Sequence, residues 1–477
     1  MNFCVNPFLP SWEYVPDGEP RVFDGRLYLF GSHDRFNGTQ FCMNDYVCWS
    51  APVDDLSDWK FHGFMYRKSQ DPNIEKDGIM QAPDVIQGRD GRYYLYYAPG
   101  MNPCVSVAVS EKPEGPYQYL GTINYADGTP LGLKPHDVFA FDPGVFVDDD
   151  GKCWLYVGFG PEENGIFAQF CKEFQMNGAY VMELEADMMT IKTEPRLMLP
   201  KIGIAEGSGF EGHEFYEASS MRKINGKYYF IYSSILSHEL CYALSDKPDR
   251  DFRFGGTIIS IGDIGYQGNM SPKNYLGNTH GSIAEINGEW YIFYHRQTNR
   301  NNYSRQACAE KIMILEDGSI PQVEITSCGL SKQALPGCGT YPAYIACNLW
   351  SKEGALTYGT DKTPKAKDHP YFTQTGEDRE SDPDQYVANM KDGATAGYKY
   401  FHFGKTDTIG ITFRGTANGQ MEIRTDLIKE PVCIIPVLTH SEITNNEAPA
   451  NIPSGDHELY FTYTGNGTID FLSFELK

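Results

Sequence analysis

Four acidic side chains and one imidazole stand at matching places in a phrase that this 477-residue chain repeats five times. Asp17, Asp84, Asp142, Glu217 and His280 precede the turn dipeptides Asp24-Gly25, Asp90-Gly91, Asp150-Gly151, Asn225-Gly226 and Asn287-Gly288 by six to eight residues. Carboxyl groups held together suit proton transfer. One, kept protonated, can give its proton to a leaving oxygen while another, ionised, activates a water molecule. A neighbouring negative charge or burial raises the pKa of the first, so a cluster tunes itself.

Such a cluster needs elements that bring distant residues to one spot, and the repeats supply them. Each dipeptide opens a strand-like run, as in Tyr93-Tyr94-Leu95-Tyr96 and Tyr228-Tyr229-Phe230-Ile231, and the steps between copies are 66, 60, 75 and 62 residues. Asp-Gly or Asn-Gly between two such runs marks a hairpin, because a type I′ turn needs φ > 0 at both central positions. Five hairpins at this period predict a five-bladed β-propeller, all-β, over residues 1–325. The small or apolar runs after Asp142, Glu217 and His280 would be the strands nearest the axis, with these side chains at the channel mouth.

Residues 326–340, rich in Gly and Pro, read as a linker, and 341–477 as a β-sandwich of jelly-roll type built from short strands. The segment from 361 to 384 reads as a surface loop. A net charge of −23 speaks against nucleic acid and anionic membrane as partners and leaves a neutral small substrate. Twelve scattered cysteines without CxxC pairs, and an N-terminus without a basic, apolar leader, point to a cytoplasmic protein.

In repeat order, Val15-Pro16-Asp17-Gly18-Glu19-Pro20, Ala82-Pro83-Asp84-Val85, Phe141-Asp142-Pro143-Gly144-Val145-Phe146 and Glu217-Ala218-Ser219-Ser220-Met221 resemble the motifs of glycoside hydrolase family 43. The resemblance implies Asp17 as general base, Asp142 as the group that tunes and orients the acid, and Glu217 as general acid. Asp84 is usually structural in that family. Gly277-Asn278-Thr279-His280-Gly281 resembles the segment whose histidine faces the channel beside a calcium ion, and Arg305 falls where an arginine bonds sugar hydroxyls. Phe141 and Gln81 are further candidates for substrate contact, and Gln81 follows Met80 where xylosidases often carry a tryptophan. The C-terminal region resembles a family 6 carbohydrate-binding module, and it could instead help to wall the pocket.

Two alternatives stay open at the site. Glu19 rivals Asp17 as base, since strand alternation sends both the same way. Each Asp beside Gly or Pro, taken singly, reads as a turn former. The implied activity is an inverting, exo-acting α-L-arabinofuranosidase on short oligosaccharides, with β-xylosidase as the alternative. A non-catalytic sugar-binding propeller is the third reading, and it leaves the acid–base set unexplained.

Overall fold

The computed structural model describes residues 4–359, 363–380 and 384–477. Four blades each hold four antiparallel strands in sequence order. Blade one runs from Glu19–Phe23 to Lys60–Tyr66, blade two from Gln81–Gln87 to Gln118–Thr122. Blade three runs from Gly144–Val147 to Arg196–Pro200 and blade four from Phe215–Ile224 to Arg253–Ser260. Blade five has three strands, Ile283–Ile286, Glu289–Gln297 and Arg305–Ile312. The N-terminal segment lies along the last of these: Phe8 N–H donates to Ala307 O at 3.3 Å, and Asn6 Nδ2 donates to Ala309 O at 3.0 Å. A parallel bridge between Gly18 and Gly281 joins blade one to blade five and closes the ring.

The turn chemistry separates the five hairpins into two kinds. Asp24-Gly25, Asn225-Gly226 and Asn287-Gly288 have positive φ at both residues, as a two-residue type I′ turn demands. At Asp90-Gly91 and Asp150-Gly151 only the glycine is left-handed, and the loops are longer, spanning 88–92 and 148–152. The aromatic runs fill the spaces between blades. Tyr156, Phe215, Phe230 and Tyr232 form one such core between blades three and four, each contributing about 1.5–3 kcal/mol by burial.

The inner strands carry the site through a shared backbone irregularity. In blade four the pairing passes from Glu217↔Ser233 to Ser220↔Ile231, and in blade two from Gln81↔Ala98 to Asp84↔Tyr96. Each is a bulge of one extra residue, with Ala218 (φ 70) and Ala82 (φ 46) in left-handed conformation. Asp17 (φ 56) and Asp142 (φ 46) adopt the same conformation where blades one and three begin. Gly144, two residues after Asp142, lies so close to blade four that a Cβ there would meet Ser219 O at 2.2 Å.

Among the described residues, the C-terminal domain is one hydrogen-bonded network of ten strands curled around a shared core. The expected linker is shorter than 326–340, because Leu335–Pro336 and Gly339–Pro342 already pair with Thr395–Phe403 and Gly455–Leu476. The expected short strands merge into two long ones, Thr408–Arg424 and Gly455–Leu476. Gly415 and Gly465, at φ 135 and 142, let them bend without breaking the ladder. The stretch 361–384 is not simply a loop: it holds a helix, Pro364–Lys367, and a strand, Tyr371–Gln374. Its residues 361, 362 and 381–383 lie outside the described residues.

Candidate active site

At the propeller mouth, Asp17, Gln81, Phe141, Asp142, Glu217, His280 and Arg305 all line one cavity of about 650 Å³. That volume falls within the range of roughly 300–1,000 Å³ common for small-ligand pockets. The cavity also takes in Phe41, Cys42, Asn302 and Tyr358. The sequence pattern offered no signal for these four, because long connections and the second domain bring them in.

Asp17 sits among cations. Arg305 Nη1 donates to its Oδ1 at 2.8 Å and Nη2 to its Oδ2 at 3.3 Å. Burial alone would raise the Asp17 carboxyl, but the Arg305 and His280 charges hold it below the ordinary carboxylate value. His295 is itself kept neutral, pushed down to about 3 by burial and by the Arg305 charge. It receives the Asp17 backbone N–H on Nδ1 at 3.3 Å and faces Asn278 O with Nε2 at 2.9 Å. Asp17 is thus an ionised carboxylate fixed at both backbone and side chain.

Arg305 is committed to this task. It also forks onto Asp34, with Nε donating to Oδ2 at 2.8 Å and Nη2 to Oδ1 at 3.0 Å. It lines the cavity while spending its guanidinium on two buried aspartates, so its geometry is that of a residue orienting Asp17. Cys42 Sγ stands 3.5 Å from Arg305 Nη2 and 4.0 Å from Asp17 Oδ2, completing the corner.

Glu217 has the opposite surroundings. Burial first, and then the Asp142 charge, push its carboxyl up to about 8, with His280 pulling the other way. Asp142 is held beside it by the Ala218 N–H, which donates to Asp142 Oδ2 at 3.2 Å. On the same wall Tyr216 and Phe141 pack around Phe159, at ring separations of 5.1 and 5.2 Å. His280 lies with Nδ1 3.4 Å from Asp142 Oδ2. Burial disfavours its charge, but Asp142 and Asp17 outweigh that and raise it to about 9, so it is an imidazolium at neutral pH.

Glu19 and Asp84 stand two residues beyond the bulge conformation, deeper in the channel. Asp84 takes three hydrogen bonds from Arg21, the shortest 2.6 Å, and one from the Val145 N–H at 2.9 Å. Glu19 Oε2 accepts from Arg222 Nη2 at 2.9 Å and from Ser220 Oγ at 3.1 Å. Neither lines the cavity, which leaves Asp17 as the carboxylate of blade one that faces substrate.

The residues around His280 are a poor match for calcium, which takes roughly six to eight oxygen ligands. His280 Nδ1 faces Asp142 as a proton donor, and the two channel carboxylates already carry guanidinium groups. Elsewhere His213, Glu239 and Cys241 bring their ligand atoms together. There His213 Nδ1 bonds Glu239 Oε1 at 2.7 Å, and Ser234 and Thr257 donate to the same carboxylate. It is a closed hydrogen-bond cluster.

A five-bladed propeller whose mouth sets an ionised aspartate against a protonated glutamate is the framework of a glycoside hydrolase. The chain belongs to glycosyl hydrolases family 43, whose family model matches residues 6–320. It is 50% identical over 476 residues to a xylosidase/arabinosidase of Thermoclostridium stercorarium, covering 99% of this chain and 98% of that one. It is 25% identical over 499 residues to an arabinoxylan arabinofuranohydrolase of Paenibacillus polymyxa, covering 95% and 71%. The fold of both domains is similar to the crystal structure of a family 43 arabinoxylan arabinofuranohydrolase from Bacillus subtilis in complex with cellotetraose. That likeness has a TM-score of 0.52 at 21% identity, over 99% of this chain and 97% of the other.

Proposed function

We propose that this enzyme is an inverting, exo-acting hydrolase that releases terminal α-L-arabinofuranose from arabinoxylan or arabinan oligosaccharides. The observation that carries the reading is the split between two carboxyl groups of one cavity, Asp17 held ionised and Glu217 held protonated. Asp17 takes a proton from a water lying between it and the anomeric carbon. Glu217 protonates the glycosidic oxygen as the bond breaks. Asp142 keeps the Glu217 carboxyl basic enough to hold its proton until then, and the His280 imidazolium offsets the charge left behind.

Substrate recognition in this reading rests on unpaired acceptors. Among the described residues, Gln81 Oε1 and Asn302 Oδ1 are buried without a protein partner and line the cavity, so sugar hydroxyls can satisfy them. Gln81 in place of a flat tryptophan platform favours arabinofuranose, and the names of the relatives support both sugars. The second reading is therefore β-xylosidase activity at the same site. All twelve cysteines are free thiols, nine of them buried, which supports action in a reducing compartment on small oligosaccharides.

Proton NMR of the first-formed sugar tests the mechanism. A β-arabinofuranose product from the α-linked substrate is expected. An α product would make Asp17 a nucleophile and overturn the inverting assignment.

A further inference from the structure

The C-terminal domain is locked onto the propeller rather than tethered beside it. Residues 356–358 run parallel to the segment that leads into Asn278 and His280. Leu276 N–H donates to Leu356 O at 3.0 Å, and Tyr358 N–H donates to Leu276 O at 2.7 Å. A second anchor grips the loop that carries Asp34, Phe41 and Cys42. Asp378 accepts from the Phe36 N–H at 2.7 Å and from Asn44 Nδ2 at 3.0 Å, while Arg379 Nη1 donates to Glu13 at 2.9 Å. Tyr14 OH adds a 2.7 Å bond to Gln374 Oε1.

This docking delivers one large aromatic side chain to the cavity. Tyr358 is 64% exposed, yet it lines the cavity together with Ile166, which is 90% exposed, and Met101. Tyr216, the neighbour of Glu217 in the chain, lines the same cavity as Tyr358, and its ring packs against Phe159, which in turn packs against Phe167 beside Ile166. Through these rings Ile166 belongs to the Glu217 wall of the cavity, and Tyr358 reaches the same cavity from the second domain. The glycosidic oxygen must face Glu217 to be protonated, so whatever lies beyond that oxygen heads for the open part of the cavity that the exposed Tyr358 and Ile166 line.

We propose that Tyr358 forms the binding surface for the leaving-group sugar, so that the C-terminal domain takes part in substrate selection. A phenol ring offers an apolar face to the C–H face of a neutral sugar ring. It leaves hydroxyl groups free to meet solvent at the open rim. The partner it selects is the second residue of an oligosaccharide, not the glycone. This inference rests on Glu217 being the proton donor.

The test compares two leaving groups on one glycone: an oligosaccharide, and a glycosyl fluoride, whose leaving group is a single atom and cannot reach Tyr358. Tyr358→Ala should lower kcat/KM on the oligosaccharide about five- to tenfold and change fluoride hydrolysis less than about twofold. Tyr358→Phe should retain oligosaccharide activity, and all three proteins should share one melting temperature. Equal losses on both substrates, or no loss on either, would overturn the proposal. Failure of the acid assignment shows separately, as a Glu217→Gln variant with undiminished oligosaccharide hydrolysis.

Discussion

The Asp17 corner and the Glu217 wall face each other across one cavity, yet they treat the same functional group in opposite ways. At the corner, the Arg305 guanidinium and the His280 imidazolium flank the carboxyl, and the positive charge outweighs burial. At the wall, aromatic rings remove water and Asp142 adds negative charge, so burial and repulsion act in the same direction. A third pair of carboxylates shows what neither site is. Glu19 and Asp84, in the channel below, are each paired with an arginine and do not line the cavity. Burial does not make a carboxylate catalytic. What matters is whether its partners leave an oxygen facing the cavity and in which protonation state they hold it.

The comparison breaks most visibly if the two carboxylates are exchanged for amides. Asp17→Asn should cost at least about a thousandfold in kcat on every substrate, because the water stays unactivated. Glu217→Gln should lose on the order of 10²–10⁴ on oligosaccharides but far less on a dinitrophenyl glycoside, whose leaving group needs no proton. Assays of both variants on both substrates give four rates. If Glu217→Gln fails equally on the two substrates, the wall does not hold the acid.

A smaller effect comes from loosening the corner. Arg305→Lys keeps the charge but loses the fork that spans Asp17 and Asp34. Activity should fall about tenfold, and the acid limb of the pH profile should move to higher pH, since burial then competes with a weaker partner. An unmoved acid limb would separate Arg305 from Asp17 ionisation.

In the channel the balance reverses, with large effects on stability and small ones on chemistry. Asp84→Asn leaves Arg21 buried with a weakened partner, and breaking such a pair costs about 3–5 kcal/mol. The melting temperature should drop, while kcat/KM, measured well below it, should change less than about threefold. Exhaustive chelation, the mildest perturbation, should alter neither activity nor melting temperature. A loss that calcium restores would show that the His280 region takes a metal after all.

How far this arrangement was legible in the sequence depends on the range of the interactions. Turn dipeptides and aromatic runs act locally, so the five hairpins, the propeller and the convergence of Asp17, Asp142, Glu217 and His280 could be read from the phrase and its period. By its distance from the Asp90-Gly91 turn, Asp84 belongs with the site residues. The bulges show otherwise: Gln81 occupies in blade two the place of Glu217 in blade four, and Asp84 lies deeper. Distance from the turn does not fix position on the inner strand, because the hairpin loops differ in length, two residues in three blades and five in the other two. Asp34, His295 and Tyr358 carried no signal, since their roles exist only once blades and domains pack together. In the C-terminal domain the short strands merged through glycines that, in a sequence, look like turns.

The pH dependence of the alkaline limb tests the central claim most directly, that Glu217 is the group held protonated in this cavity. Its carboxyl lies at about 8, so kcat/KM on an oligosaccharide should fall as pH rises through that value and the proton is lost. On a dinitrophenyl glycoside of the same sugar the limb should disappear, because no proton is required. A limb near 8 that persists unchanged on the activated substrate would contradict the account, since the group titrating there would then not be the acid.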